Sequence, residues 1–419
     1  MKIKTTKISY DELSTLPKRK HKKPIKPGNL MSNLMTTLAK GELRKIHFTH
    51  ETEGMEKINP EEPCLVLMNH SSFIDLSIAK VLMKDRPLQI VCTSDGFVGK
   101  EGLMRRMGCI PTQKFVTDMA LVKDMHYCIN TLGSSILLYP EASYSFDGTA
   151  TPLPDSLPKC LKFLNVPVIF IETKGAFHRD PLYNGLRLRK VAVSAKMTYL
   201  LSPAEIQAKS TDELKSVLDE AFSFDHFAWQ KEQQIPVTEN FRTLGLERVL
   251  YKCPHCFTEG KTEGTGVDFI CHNCGKTYHM TTYGQMEASD GQTLFSHIPD
   301  WYRWEREKVK EEIEKDQYEL NIPVEIGVLK DFQSIYMIGD GNLVHNKKGF
   351  HLTGCEGKLD YSQSPRLSYS LYADYFWYEI GDVICIGDSS ILYYCFPKEK
   401  DVCVAKARLA TEELWKKHT

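Results

Sequence analysis

Between residues 64 and 200, six short apolar runs, 64–68, 88–93, 109–112, 135–139, 166–172 and 189–200, alternate with stretches long enough for helices. The run Cys-Leu-Val-Leu-Met at 64–68 has no polar residue to offer water, the pattern of a strand buried on both faces. Val122, Met125, Ile129 and Leu132 recur at helical spacing and fill one of the gaps. The alternation predicts an α/β unit with a mostly parallel sheet flanked by helices, which collects functional residues at the carboxyl ends of its strands.

Run 64–68 ends at Asn69-His70, and Asp75 follows five residues after the histidine. Five residues of continuous helix turn through about 500°, which leaves the two side chains on mismatched faces, so a turn must separate them. Ser71 or Ser72 capping a helix that starts near Phe73 would set Asp75 in the first turn beside His70. A carboxylate on one imidazole nitrogen leaves the other basic, as a general base for a hydroxyl requires. By itself the motif also fits a purely structural histidine at a strand-to-helix junction. The strand 135–139 leads into Pro140-Glu141-Ala142-Ser143-Tyr144-Ser145, which puts Glu141 at a second strand end. Pro152, Pro154, Pro158 and Gly148 predict that 146–158 is a loop walling that end.

Four blocks stand in order: Asn69-His70-x4-Asp75, Gly108-x5-Lys114, Pro140-Glu141-x3-Ser145, and Val166-Pro167-Val-Ile. Together they resemble the glycerolipid acyltransferase family, which includes the lysophosphatidic acid acyltransferases, over about residues 60–200. The resemblance implies transfer of a fatty acyl group from a thioester, acyl-CoA or acyl-ACP, to a lysophospholipid hydroxyl, with 1-acylglycerol-3-phosphate as acceptor. It makes His70 the base and Asp75 its orienting partner. Glu141, Ser143, Ser145, Gly108, Lys114, Val166 and Pro167 become substrate-binding positions. Backbone amides at the start of the helix after His70 are candidates for the oxyanion. The chain departs from the family at Tyr144, where an arginine is usual, and at Lys114, a point charge instead of a bidentate fork. Lys174 and Arg179 are the nearest replacement cations.

A length of 419 residues exceeds one ordinary domain. The expected division is a basic tail and amphipathic helix at 1–50, an acyltransferase unit at 51–245, a zinc ribbon at 246–290, a linker helix at 291–320 and a mostly β unit at 321–419 ending in a helix. Cys253-x2-Cys256 and Cys271-x2-Cys274 have ribbon spacing, and four thiolates predict a closed structural Zn2+ site; a redox dithiol pair is the alternative. The other nine cysteines are scattered, as in a reducing compartment. In element order, the C-terminal runs resemble the pleckstrin-homology or GRAM-like architecture. Trp301 and Trp304, one helical turn apart, suit packing between units.

The basic run 18–26, followed by Leu30, Met31, Leu34, Met35 and Leu38 at helical spacing, fits either a peripheral contact with an anionic membrane surface or a solvated tail before a helix that packs on the main domain. No apolar run approaches 18 residues and no hydrophobic signal core stands at the N-terminus, so the expected location is cytoplasmic, on the inner face of the membrane. A net charge of −1 argues against nucleic acid as a partner. The alternative of a different class is a nucleic-acid-binding zinc ribbon or lipid-binding scaffold carrying an inactive acyltransferase-like domain.

Overall fold

The computed structural model describes residues 2–17, 19–116, 118–399 and 402–419. The six apolar runs become the strands Leu65–Met68, Leu88–Thr93, Cys109–Thr112, Ser135–Leu138, Val168–Lys174 and Ser194–Leu201, joined by a seventh, Thr49–Glu53. They form one sheet in the order 49–53, 194–201, 168–174, 65–68, 135–138, 88–93, 109–112. All neighbours pair in parallel except Val168–Lys174 with Ser194–Leu201, which are antiparallel. Leu65–Met68 lies at the centre and is wholly buried. Its residues alternate: Val66 and Met68 join Ile74 and Ile78 on one face, Leu65 and Leu67 join Met125 and Leu161 on the other. His70 therefore emerges at the middle of the sheet's carboxyl edge.

The four-cysteine segment carries a small antiparallel sheet of Thr262–Thr265, Asp268–Cys271, Thr277–Met280 and Met286–Ala288. The helix Ile298–Glu314 follows and packs on the C-terminal helix Val404–His418. Trp301 is 1% exposed, and its Nε1 donates to the Lys252 carbonyl at 3.0 Å, while Trp304 packs on Phe257 and Phe295. Both tryptophans seat between units, as their spacing suggested.

The C-terminal unit has seven antiparallel strands: Leu320–Leu329, Ile335–Asn346, Gly349–Gly354, Leu359–Gln363, Tyr372–Trp377, Gly381–Gly387 and Leu392–Pro397. Counted one to seven along the chain, their order in the sheet is 4-3-2-1-7-6-5.

The segment 1–50, expected as a basic tail and amphipathic helix, also contributes to both large sheets. Thr5–Lys7 adds a parallel strand to the C-terminal sheet at Ile335–Met337, and Thr49–Glu53 already belongs to the first sheet. Of the basic run, Lys18 lies outside the described residues; Arg19 lies over the Phe332 ring, Lys22 pairs with Glu101 and Lys23 lies over Tyr127. Extended backbone hydrogen-bonds readily to an open strand edge, and polar sequence gives no warning of it. No described helix is long and apolar enough to cross a membrane.

Candidate active site

The helix after His70 runs from Ile74 to Leu82, and Asp75, 0% exposed, sits in its first turn. Ser72, one residue before the cap position, accepts from the Ile74 amide through its Oγ at 3.3 Å. Phe73 holds the cap position with no side-chain bond, and Asp75 reaches back instead: its Oδ2 accepts from the amides of Ser71 and Ser72 at 2.7 and 2.9 Å. That same oxygen lies 3.2 Å from His70 Nδ1, and Thr173 Oγ1 is 3.5 Å from Oδ1. Because the Ser71 and Ser72 amides are committed to Asp75, these two are not free to serve an oxyanion.

A proton on Nδ1 donates to Asp75 and leaves a lone pair on Nε2. Nε2 has no hydrogen-bond partner among the described residues, and His70 lines a cavity of about 1010 Å³. The rings of Tyr139 and Tyr144 lie 4.1 and 4.2 Å from the imidazole, centroid to centroid. Burial pushes the His70 pKa below its ordinary value; Asp75 opposes the shift and the Lys114 charge adds to it. The base form is thereby favoured near neutral pH.

The cavity is mostly apolar, lined by Leu76, Val91, Val122, Met125, Leu157 and Phe163 among others. Pro154 to Leu157 form part of its side, so the predicted proline loop is a wall. Lys114 is also on the wall, its Nζ 4.1 Å from the centre of the Tyr372 ring.

Residues 49–169 match the acyltransferase family model. This segment holds His70, Asp75, Lys114 and Glu141, so the stretch that builds the cavity's base is similar to acyltransferases. Among solved structures, the 1-acyl-sn-glycerophosphate (LPA) acyltransferase PlsC from Thermotoga maritima aligns at 16% sequence identity over 46% of this chain and 76% of that one, with a TM-score of 0.36.

Other sequence-predicted positions of this acyltransferase-like unit fall elsewhere. Glu141 is 0% exposed and braces the loops: it accepts from the His70 amide at 3.0 Å, the Thr151 amide at 2.9 Å and Thr151 Oγ1 at 3.2 Å. Burial pushes its pKa up to about 7, against those hydrogen bonds. Ser143 Oγ donates to the Tyr144 carbonyl, and Ser145 ties the same loop through its amide to His70 O and its hydroxyl to Thr149 O. Gly108 turns at the amino end of Cys109–Thr112 with a φ of 84°, where a Cβ would press on Leu88 O at 3.1 Å. Pro167 accepts from the Leu65 amide, at the amino end of the central strand. Gly108, Val166 and Pro167 thus lie at the end of the sheet opposite His70 and do not reach the cavity. Lys174 pairs with Glu172, and Arg179 with Asp180 and Glu42; neither lines the cavity.

Three supporting groups escaped sequence reasoning. Asn69 clamps the neighbouring strand, its Oδ1 accepting from Thr173 N at 2.8 Å and its Nδ2 donating to Thr173 O at 3.2 Å. Ser72 Oγ donates to buried Asp180, and Ser71 Oγ is 3.0 Å from His226 Nε2. Asn69 precedes the catalytic candidate directly, a signal that was available; His226, 155 positions from Ser71, had none.

Cys253, Cys256, Cys271 and Cys274 bring their Sγ atoms within 4.8 Å of one another, with pairs at 3.7 and 3.8 Å. Thiolates held at about 2.3 Å around a tetrahedral metal have a sulfur-to-sulfur edge of about 3.8 Å, so this set fits such an ion. His272 and His279 turn to Glu263 and Asp268 instead.

Proposed function

We propose that the protein is an acyltransferase that moves a fatty acyl group from an acyl thioester, on coenzyme A or acyl carrier protein, to a hydroxyl of a lysophospholipid. The observation that carries this reading is His70: its Nδ1 is held by a buried carboxylate and its Nε2 is free beside a large apolar cavity. Nε2 would take the acceptor hydroxyl's proton as the oxygen attacks the thioester carbonyl. The new C–O bond forms, the C–S bond breaks, and the imidazolium returns its proton to the departing thiolate. Asp75 steadies the imidazolium in between. The apolar wall suits the acyl chains, each buried methylene contributing about 0.8 kcal/mol. The block order by itself implies 1-acylglycerol-3-phosphate as acceptor.

The test is incubation of the purified full chain with labelled acyl thioesters and a panel of lysolipids, the products identified by mass spectrometry. His70→Ala is expected to lower kcat at least 10²- to 10⁴-fold, the usual contribution of a general base. Undiminished transfer by that variant would sink the reading.

The four thiolates are proposed to hold one Zn2+ that is structural, because a closed sulfur shell leaves no position for a substrate. Metal analysis is expected to return one zinc per chain, and Cys256→Ser to reduce it; no bound metal at all would refute the assignment. For the C-terminal unit, a pleckstrin-homology or GRAM-like architecture is proposed from element order alone, seven strands and a closing helix. A peripheral position on the inner face of a membrane is supported by Leu30, Leu34 and Leu38, which stay 86, 52 and 68% exposed on the helix Asn29–Lys45 beside the basic run.

A further inference from the structure

The cavity beside His70 is not closed by the acyltransferase-like unit alone. Tyr369, Tyr372, Asp374, Trp377 and Tyr378 of the C-terminal unit line it as well. That wall is firmly anchored. Tyr372 OH and Trp377 Nε1 donate to one oxygen of Asp95 at 2.6 and 3.1 Å, and Ser368 Oγ donates to Phe115 O at 2.9 Å. Asp95 is 2% exposed, and its other oxygen accepts from the Gly96 amide, so both its oxygens are engaged in the joint.

Asp374 is different. It lines the cavity, and among the described residues its carboxylate accepts only from the next amide, Tyr375 N, at 2.8 Å. Burial pushes its pKa up to about 6, with Lys114 opposing and Asp95 and Asp382 reinforcing the shift, so it is mostly ionised at neutral pH. Asp374 acts electrostatically on Tyr144, which touches His70, and Lys114 acts on His70 itself. Lys114 and Asp374 thus face one cavity from different units, with Lys123, Lys159 and Arg366 also on its wall, and no ion pair joins Asp374 to a cation among the described residues.

A phosphate monoester placed there would be attracted to Lys114 but repelled by Asp374, whereas a headgroup carrying an amine beside its phosphate satisfies both charges. We propose that the C-terminal unit selects the acceptor, with Asp374 binding the ammonium of an amine-bearing lysophospholipid while Lys114 binds its phosphate. This rests on the reading above that the cavity takes a lysophospholipid.

Trp377 and Trp415 line the cavity, so intrinsic fluorescence of the full chain reports binding without turnover. Titration with lysophosphatidylethanolamine and with lysophosphatidic acid of the same acyl chain is expected to show at least tenfold tighter binding of the first. Asp374→Asn keeps an oxygen for the Tyr375 amide and is expected to erase that preference, while Asp374→Glu keeps most of it. Equal or tighter binding of lysophosphatidic acid to the unaltered chain overturns the proposal; so does an unchanged ratio in Asp374→Asn. Turnover is read separately in the same samples. Selective binding with no acyl transfer defeats the acyltransferase reading and leaves this one standing, and transfer without headgroup selection does the reverse.

Discussion

At the scale of single residues, the arrangement around His70 trades charge stability for basicity. Tyr139 and Tyr144 exclude water from the imidazole and so disfavour its charged form, while Asp75 supplies part of what water would have given. The proposed catalysis needs the neutral ring, so the acid limb of kcat/KM should lie below the ordinary histidine pKa of about 6.5. Tyr144→Ala admits water and relieves the desolvation. Its acid limb should move up toward 6.5, so that it loses proportionally more activity at pH 6 than at pH 8. An acid limb unmoved by Tyr144→Ala in the pH–rate profile would show that this ring does not set the basicity of His70. Asp75 and Glu141 work on the backbone as much as on the chemistry. Asp75 holds two amides, Glu141 holds the His70 amide, and together they fix the turn that presents the ring.

Elements show which signals the sequence carried and which it did not. Where burial on both faces forces an unbroken apolar run, as at Leu65–Met68 and Leu88–Thr93, the strand was legible to within a residue. Thr49–Glu53 was not, because every side chain of this edge strand is exposed and its polar sequence has no period to read. Leu320–Leu329 was hidden by Asn321, Pro323 and Glu325 on its outward face, and Leu359–Gln363 by its short, polar composition. In the site, the contact of His70 with Asp75 was suggested by their spacing, whereas Asp374 and Trp377 reach the cavity only through the packing of two units. The helix Asn29–Lys45 makes the point in reverse. Its apolar periodicity suggested a buried or membrane-facing stripe, and the protein buries Thr36, Ala39 and Leu43 while leaving the leucines at 30, 34 and 38 outward. Replacing all three by serine should weaken co-sedimentation with vesicles containing anionic lipid at least tenfold, with the melting temperature little changed. Vesicle binding that survives the triple substitution would exclude this stripe as the contact.

On the scale of the whole molecule, the acyltransferase-like and C-terminal units share their interior. Met68, Ile74 and Phe97 of the first pack in one apolar cluster with Leu329, Ile335, Trp377 and Tyr394 of the second, and the Gly99 amide donates to Phe332 O at 2.8 Å. Buried surface shared in this way couples the two parts, so the chain should unfold in one cooperative step. His345 provides a probe of that coupling within the C-terminal sheet. It lies 1% exposed in the C-terminal sheet, stacked 3.7 Å from Phe350, with Nδ1 2.9 Å from Tyr318 OH. Burial pushes its pKa down to about 3. A base whose folded pKa is depressed adds stability above its unfolded value near 6.5, and that contribution is lost as pH falls toward the folded value. His345→Gln removes the titration. The stability gap between the unaltered protein and the variant should therefore be constant above pH 7 and shrink below 6.5, by about 1.4 kcal/mol per pH unit in urea unfolding. If the two units are one cooperative body, the shift appears equally in the loss of acyl transfer at His70 and in the fluorescence of Trp377 at the joint. A gap that does not vary with pH would refute the buried neutral imidazole. Two separate midpoints would instead show that the C-terminal unit can leave the active site while the acyltransferase-like unit stays folded.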